Sequence, residues 1–161
     1  MIRQIVAVDR AGGFAKLNAD GILEIPWNLP GDKMYYRAHI QGKRLLMGRL
    51  SYDAARAKRA AYNYVLTSNA DMPVVNGEVV ASIEEALDKN KDQDLWVIGG
   101  EQVYAETITV ADELYITRVE GDFTCDRFYP TIPANFSRIF ISEPRQENDL
   151  TYRFEEYKKQ S

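Results

Sequence analysis

The chain has 161 residues, 45% of them apolar and 27% charged, with a formal net charge of -4 and a pI of about 5.1. That length suits one domain with a sizeable core rather than two, and the acidic balance argues against a general nucleic-acid binder, which needs a surplus of Lys and Arg. Cys125 is the only cysteine and His39 the only histidine. An intramolecular disulfide and a Cys/His zinc site within one chain are therefore excluded, no metal is expected, and a Ser/His/Asp triad would have to use a histidine with no nucleophile motif beside it.

The N-terminal MIRQIVAVDR is too short and too early-charged for a signal peptide. No apolar run approaches the roughly 18 residues of a membrane span, so a cytoplasmic protein without membrane contact is expected. Ile2 to Val8 reads as a strand, ended by Asp9-Arg10 and Gly12-Gly13. Asp32 to Gln41 reads as a helix, Arg44 to Met47 as a short buried strand and Ser51 to Lys58 as a helix. Tyr62 to Thr67 and Glu78 to Ala81 are strand-like, and Ser82-Ile83-Glu84-Glu85 fits a capping box for a helix running to Asn90. Leu95 to Ile98 is an apolar strand that stops at Gly99-Gly100, and Glu101 to Thr107 resumes as a helix. Glu113 to Val119, Ser137 to Ser142 and Thr151 to Tyr157 follow as strands, with no helix signal between them.

Strand and helix alternating early imply right-handed crossovers and a mostly parallel sheet. The last two strands suggest an antiparallel edge. The expected architecture is a single α/β domain over residues 1–161. Its central sheet has about eight strands, flanked by about four helices.

Ligands of open α/β sheets bind beyond the carboxyl ends of the strands. Two strand-to-helix turns fall there: Met47-Gly48-Arg49, and Gly99-Gly100-Glu101 after the strand LWVI. In both, small residues let backbone N–H groups near a helix start approach an anion, and Arg49 adds a fixed positive charge. Two such turns on one sheet suit an extended ligand with more than one phosphate, such as a dinucleotide. The G-x-G-x-x-G fingerprint is absent, so an ordinary Rossmann site is not expected.

The stretch PWNLPGD, Pro26 to Asp32, combines a tryptophan, two prolines and an acid just before a helix. Asp32 and Tyr36 lie four apart and share one helix face. A carboxylate beside an aromatic ring can hold a flat nitrogen heterocycle through paired N–H donors, and burial would favour proton chemistry near neutrality. The competing reading is a helix-start acid that complements the macrodipole, with Tyr36 as core.

In combination these motifs resemble dihydrofolate reductase. The likeness runs in order through IVAVD, PWNLPGD, LLMGRLSY, VIGGEQVY and ELYITRV to the Phe-Tyr-Pro segment Phe128 to Pro130. It implies an NADPH-dependent oxidoreductase that reduces 7,8-dihydrofolate to tetrahydrofolate and works as a monomer. The resemblance gives Trp27 a place in a loop closing over the nicotinamide. It makes Asp32 the pterin-binding acid that promotes protonation at N5, through water. Ile5, Val6, Ala7, Ile98 and Thr117 would line the pterin pocket, Thr117 bonding toward Asp32, and Tyr36 would lie against the substrate's rings. Ala7, Ile25, Gly48, Arg49, Ser51, Thr67 and Ser68 would contact NADPH, together with Gly99, Gly100, Glu101, Gln102, Val103 and Tyr104. The Gly99–Gly100 bond is expected to be cis.

Three departures stand out. The lid, read as a loop over FAKLNADGILEI, Phe14 to Ile25, is about five residues longer than the family implies, and Ala15 replaces a usual glycine. The arginine that grips the substrate's glutamate tail is missing. Ala61 stands near its place, with Arg59 or Lys58 as substitutes, and weaker folate binding is expected. Gln102 stands where a phosphate-facing arginine is sometimes found. Two alternatives remain open at this level: a same-fold reductase of another heterocycle, such as the pyrimidine of riboflavin synthesis, and a catalytically weak cofactor-binding protein.

Overall fold

The protein is described by a computed structural model covering residues 1–55 and 60–161. Eight strands form the main path of its central sheet. In chain order these are β1 (Ile2–Val8), β4 (Arg44–Gly48), β5 (Tyr62–Leu66), β6 (Gly77–Val80), β7 (Leu95–Gly99), β8 (Glu113–Val119), β10 (Phe136–Ile141) and β12 (Leu150–Lys159). Their spatial order is β10-β12-β8-β1-β7-β4-β5-β6, with β11 (Arg145–Glu147) added beside β12. From β8 to β6 the neighbours are parallel, while β12 runs antiparallel to β8, β10 and β11.

The central strands are apolar on both faces, as strands covered by helices on each side must be. Alternation divides their side chains. Val6, Val8, Leu46, Leu95 and Val97 point to one layer, where they meet Ile83 and Ala86 of α3 (Ile83–Asn90) and Val103 and Tyr104 of α4 (Glu101–Thr107). Ile5, Leu45, Met47, Trp96 and Ile98 point to the other, beneath Tyr35, Tyr36 and Ile40 of α1 (Pro30–Ile40) and Tyr52 of α2 (Arg49–Ala55). Burying each such aliphatic side chain contributes about 1.5–3 kcal/mol, so a polar residue at Leu45 or Val97 would disrupt the sheet that carries the site.

The expected strands and helices are all present, with shifted ends. α1 begins at Pro30, two residues before Asp32, because proline suits the first helical position and its missing N–H costs nothing there. α2 begins at Arg49 instead of Ser51. Its expected end at Lys58, like Arg59, lies outside the described residues. At α3, Ser82 Oγ accepts from Glu85 N at 3.1 Å, as the capping box requires. The Glu85 carboxylate turns back one residue further than expected, to Ala81 N at 2.7 Å.

The segment Phe14 to Ile25 is a correction. Instead of a plain loop it contains β2 (Gly13–Leu17) and β3 (Leu23–Glu24), an antiparallel hairpin that also pairs with β9 (Arg127–Phe128) in a second sheet. Asn18 closes the turn: its side chain accepts from Asp20 N at 2.9 Å and Ile22 N at 3.0 Å, and Gly21 takes φ +77°. Asp20-Gly21 is a hairpin signal in its own right.

Candidate active site

The carboxyl ends of β1, β7, β4 and β8 converge under the start of α1. Parallel pairing sets Ala7 beside Thr117 and leaves Gly48 and Gly99 at neighbouring strand ends. Asp32 lies in the first turn of α1 and points back to the sheet, where the Thr117 hydroxyl donates to its Oδ1 at 2.7 Å. Burial raises the pKa of Asp32 above the ordinary carboxylate range. The Thr117 bond pulls it down, and the nearby Glu147 charge pushes it up. Oδ2 has no hydrogen-bond partner among the described residues, which leaves it able to accept from a ligand.

Around this acid the other expected substrate residues gather unequally. Ile5 and Ile98 are buried on the α1 side of the sheet with Tyr36 against them. Burial pushes the Tyr36 phenol well above its usual range, so the ring presents a neutral, apolar face. Ala7 packs near Trp27. Val6, one residue along the strand, sends its side chain to the opposite layer with Leu46 and Tyr104, and only its backbone faces this pocket. Trp27 is 6% exposed and packs edge-on to Phe123, with ring centroids 5.2 Å apart. Its buried Nε1–H has no hydrogen-bond partner among the described residues, and such an orphan donor fits a ligand-facing position.

Across the cleft, the Gly99–Gly100 bond is cis and Gly99 has φ +147°. A Cβ on Gly99 would lie 2.5 Å from Ser51 Oγ, and one on Gly100 3.5 Å from it. One on Gly48 would lie 3.6 Å from Gly100 N. The three glycines thus leave a shallow cradle of backbone beside a serine hydroxyl, at the starts of α2 and α4. A phosphate-bearing cofactor fits it. Arg49 is exposed at the rim, its guanidinium 3.1 Å from Asp53. Thr67 and exposed Ser68 follow the end of β5, where the Thr67 hydroxyl accepts from Asn69 N at 3.2 Å. Ile25, 61% exposed, ends the lid.

The α4 residues divide. Gln102 is exposed and bonded to Glu106, and the Glu101 carboxylate accepts from Phe128 N at 2.6 Å, tying α4 to β9. Val103 and Tyr104 are buried in the core, where the Tyr104 hydroxyl donates to the Ile5 carbonyl at 2.7 Å. Their side chains therefore support the cleft floor.

Two acids that hold the lid escaped the sequence reading. Asp9, 2% exposed, accepts from Ala11 N and Gly13 N at 2.9 Å each and from Phe123 N at 3.1 Å. Asp126 takes the Leu17 N–H at 3.1 Å and gives its own N–H to the Ala15 carbonyl at 3.1 Å. Together they fasten the lid hairpin to the 120–128 segment, while β3 lies against α2 at the far side of the cradle. The alternation of β2 and the Asp-Gly turn could have revealed the hairpin; nothing local marks its partners.

The profile described as dihydrofolate reductase matches residues 1–159. The chain belongs to the dihydrofolate reductase family. With membership comes the reaction, NADPH-dependent reduction of dihydrofolate. The dihydrofolate reductase of Bacillus subtilis (strain 168) is 30% identical over 166 residues, covering 100% of this chain and 96% of its own. That of Enterococcus faecium is 32% identical over 165 residues, covering 96% and 95%. The solved dihydrofolate reductase of Enterococcus faecalis, complexed with NADP(H) and RAB-propyl, superposes with a TM-score of 0.87 at 25% identity, covering 100% of this chain and 97% of its own.

Proposed function

We propose that Asp32 is the group through which this enzyme grips the pterin ring and supplies its proton. The observation that carries the reading is the Asp32 carboxyl itself: mostly shielded, aimed by Thr117, and holding its proton to a higher pH than a free aspartate. Its two oxygens take the pterin amino group and adjacent ring nitrogen, while Tyr36, Ile5 and Ile98 pack the flat ring. Asp32 promotes protonation at N5 through an intervening water, since it is bound at the other edge of the heterocycle. Trp27 and the lid exclude bulk water, which strengthens each polar contact inside. NADPH, when bound, supplies the hydride. Gly48, Gly99, Gly100 and the Ser51 hydroxyl hold its phosphates, with Arg49, Thr67 and Ser68 along the rim.

The residues of this reading are grouped around the strand ends of one central sheet, which supports a monomeric enzyme formed as a single domain over residues 1–161. A chain with one cysteine and no disulfide suits the cytoplasm. Among the described residues no helix is long and apolar enough to cross a membrane.

The test is dihydrofolate-dependent loss of nicotinamide absorbance in purified wild type and Asp32→Asn. The reading expects turnover in the first and loss of most of it at neutral pH in the second, with NADPH binding kept. Near-normal turnover in Asp32→Asn would remove Asp32 from the reaction.

A further inference from the structure

The first turn of α1 carries Asp32 yet lacks a cap of its own. Leu29 sits at the N-cap and offers no side-chain hydrogen bond to the N–H groups that every helix start leaves unpaired. The missing acceptor comes from 116 residues away: Glu147 Oε1, at the end of β11, takes the Gly31 N–H at 2.9 Å. The same oxygen accepts from the Tyr152 hydroxyl of β12. One residue on, Asn148 Nδ2 donates to the Asn28 carbonyl at 2.7 Å. The tight turn that presents them has Asn148 at φ 50° and Asp149 at φ 61°, the left-handed pair of a two-residue hairpin. A Cβ at residue 31 would collide with the Tyr152 hydroxyl and the Glu147 carboxylate, so a side chain there would have to push both aside. The hairpin is thus seated on the peptide immediately before Asp32.

We propose that Glu147 is a positioning residue for proton supply: its carboxylate caps α1, aims Asp32 at the substrate, and brings a second negative charge to the start of that helix. This inference rests on the role of Asp32 proposed above.

The surrounding groups leave Glu147 as the charge that acts on Asp32. On α1, Lys33 is engaged with Asn28 Oδ1 at 2.9 Å, and Tyr35 stacks on Phe154 with ring centroids 3.9 Å apart. On β8, Thr117 donates to Asp32, while the Tyr115 hydroxyl is bonded to Glu113. On β12, Tyr152 is bonded to Glu147, and Glu156 acts on Tyr35. On β11, Arg145 lies over the Phe154 ring at 5.0 Å and acts on Tyr152. Glu147 alone among these charged groups raises the Asp32 pKa, adding to burial and opposing Thr117. A helix start favours acids, so the Glu147 carboxylate is well suited to cap it.

Glu147→Gln separates charge from geometry, because the amide oxygen still accepts from Gly31 and Tyr152. The experiment follows two readouts across pH 5–9, with Glu147→Asp as the charge-retaining control: the carboxyl-carbon NMR titration of Asp32, and the single-turnover rate with NADPH and dihydrofolate. The proposal expects the Asp32 midpoint and the alkaline limb of the rate profile both to move to lower pH in Glu147→Gln. The rate at pH 7 falls about threefold, the acid plateau stays in place, and Glu147→Asp stays close to wild type. Unmoved midpoints in Glu147→Gln, with Asp32→Asn still inactive, would overturn the role of Glu147 alone. A shifted carboxyl midpoint with an unmoved rate profile would overturn both this role and the proton-supplying role of Asp32.

Discussion

At the Asp32 end of the cleft the polar groups are held by residues far away in sequence: Thr117 is 85 positions on, and Glu147 reaches Gly31 across 116. At the opposite end, Gly48-Arg49 and Gly99-Gly100 make their cradle from the backbone of two strand-to-helix turns, with Ser51 as the nearest side chain. Proton transfer needs one carboxyl at a tuned acidity, and tuning requires burial, a donor and a neighbouring charge brought together by the fold. Phosphate binding needs N–H groups, room and a cation at the rim, which local turns supply. The first end is therefore sensitive to charge and hydrogen bonding, and the second to volume.

Asp32→Asn breaks the comparison most severely. Turnover at pH 7 is expected to fall about 10²–10⁴-fold, the range of a lost general acid, while NADPH affinity by fluorescence titration stays within about twofold. The same change should stabilise the fold at neutral pH. The folded-state pKa of Asp32 is raised, so the native protein binds the proton more tightly than the unfolded chain. Its stability falls as pH rises from the unfolded value near 4 through the raised one. Asparagine removes that loss, and thermal unfolding should show Asp32→Asn above wild type at pH 7, with the gap closing toward pH 4.

Gly99→Ala tests the other end by volume. The methyl would meet Ser51 Oγ at 2.5 Å on a backbone at φ +147°, so NADPH affinity should drop at least about tenfold and stability by about 1–3 kcal/mol. The Asp32 carboxyl titration in the same variant should not move. A displaced midpoint would mean that the two ends are coupled.

Thr117→Val sharpens the charge account with a smaller effect. The Thr117 bond favours ionised Asp32, so its loss should move the alkaline limb of the rate profile to higher pH, opposite to Glu147→Gln, and cost about 1–2 kcal/mol in denaturant unfolding. A shift to lower pH would contradict the assigned sign. Smallest is Ala61→Arg. Ala61 is exposed, its N–H held by the Lys43 carbonyl at 2.9 Å, and a guanidinium there should lower the dihydrofolate KM about threefold without changing kcat. An unchanged KM would show that another group already holds the glutamate tail.

The same division explains what could be read from the sequence. The parallel core was legible because its strands are short apolar runs between helical ones, and LWVI followed by two glycines names both a strand and its turn. Asp32 was legible as a candidate because proline, glycine and an acid precede an apolar helix face, and Thr117 through the family likeness. Asp9, Asp126 and Glu147 were not. Each is an acid whose importance lies in backbone N–H groups that only the folded chain brings near, and no periodicity marks such a partner. Val6 shows the converse, a residue placed by motif whose side chain the strand alternation sends to the other layer. The lid hairpin was hidden because Asp20-Gly21 lies within a segment read as loop, although its turn chemistry was visible.

The most direct test is the pH dependence of the single-turnover rate in Asp32→Asn. If Asp32 supplies the proton, the variant's rate rises about tenfold for each unit the pH falls, as solvent protonates the substrate instead, so its deficit shrinks across the wild-type acid plateau. A deficit that stays the same size down through the acid plateau would show that Asp32 only binds the pterin, and would contradict the proton-supplying role assigned to it.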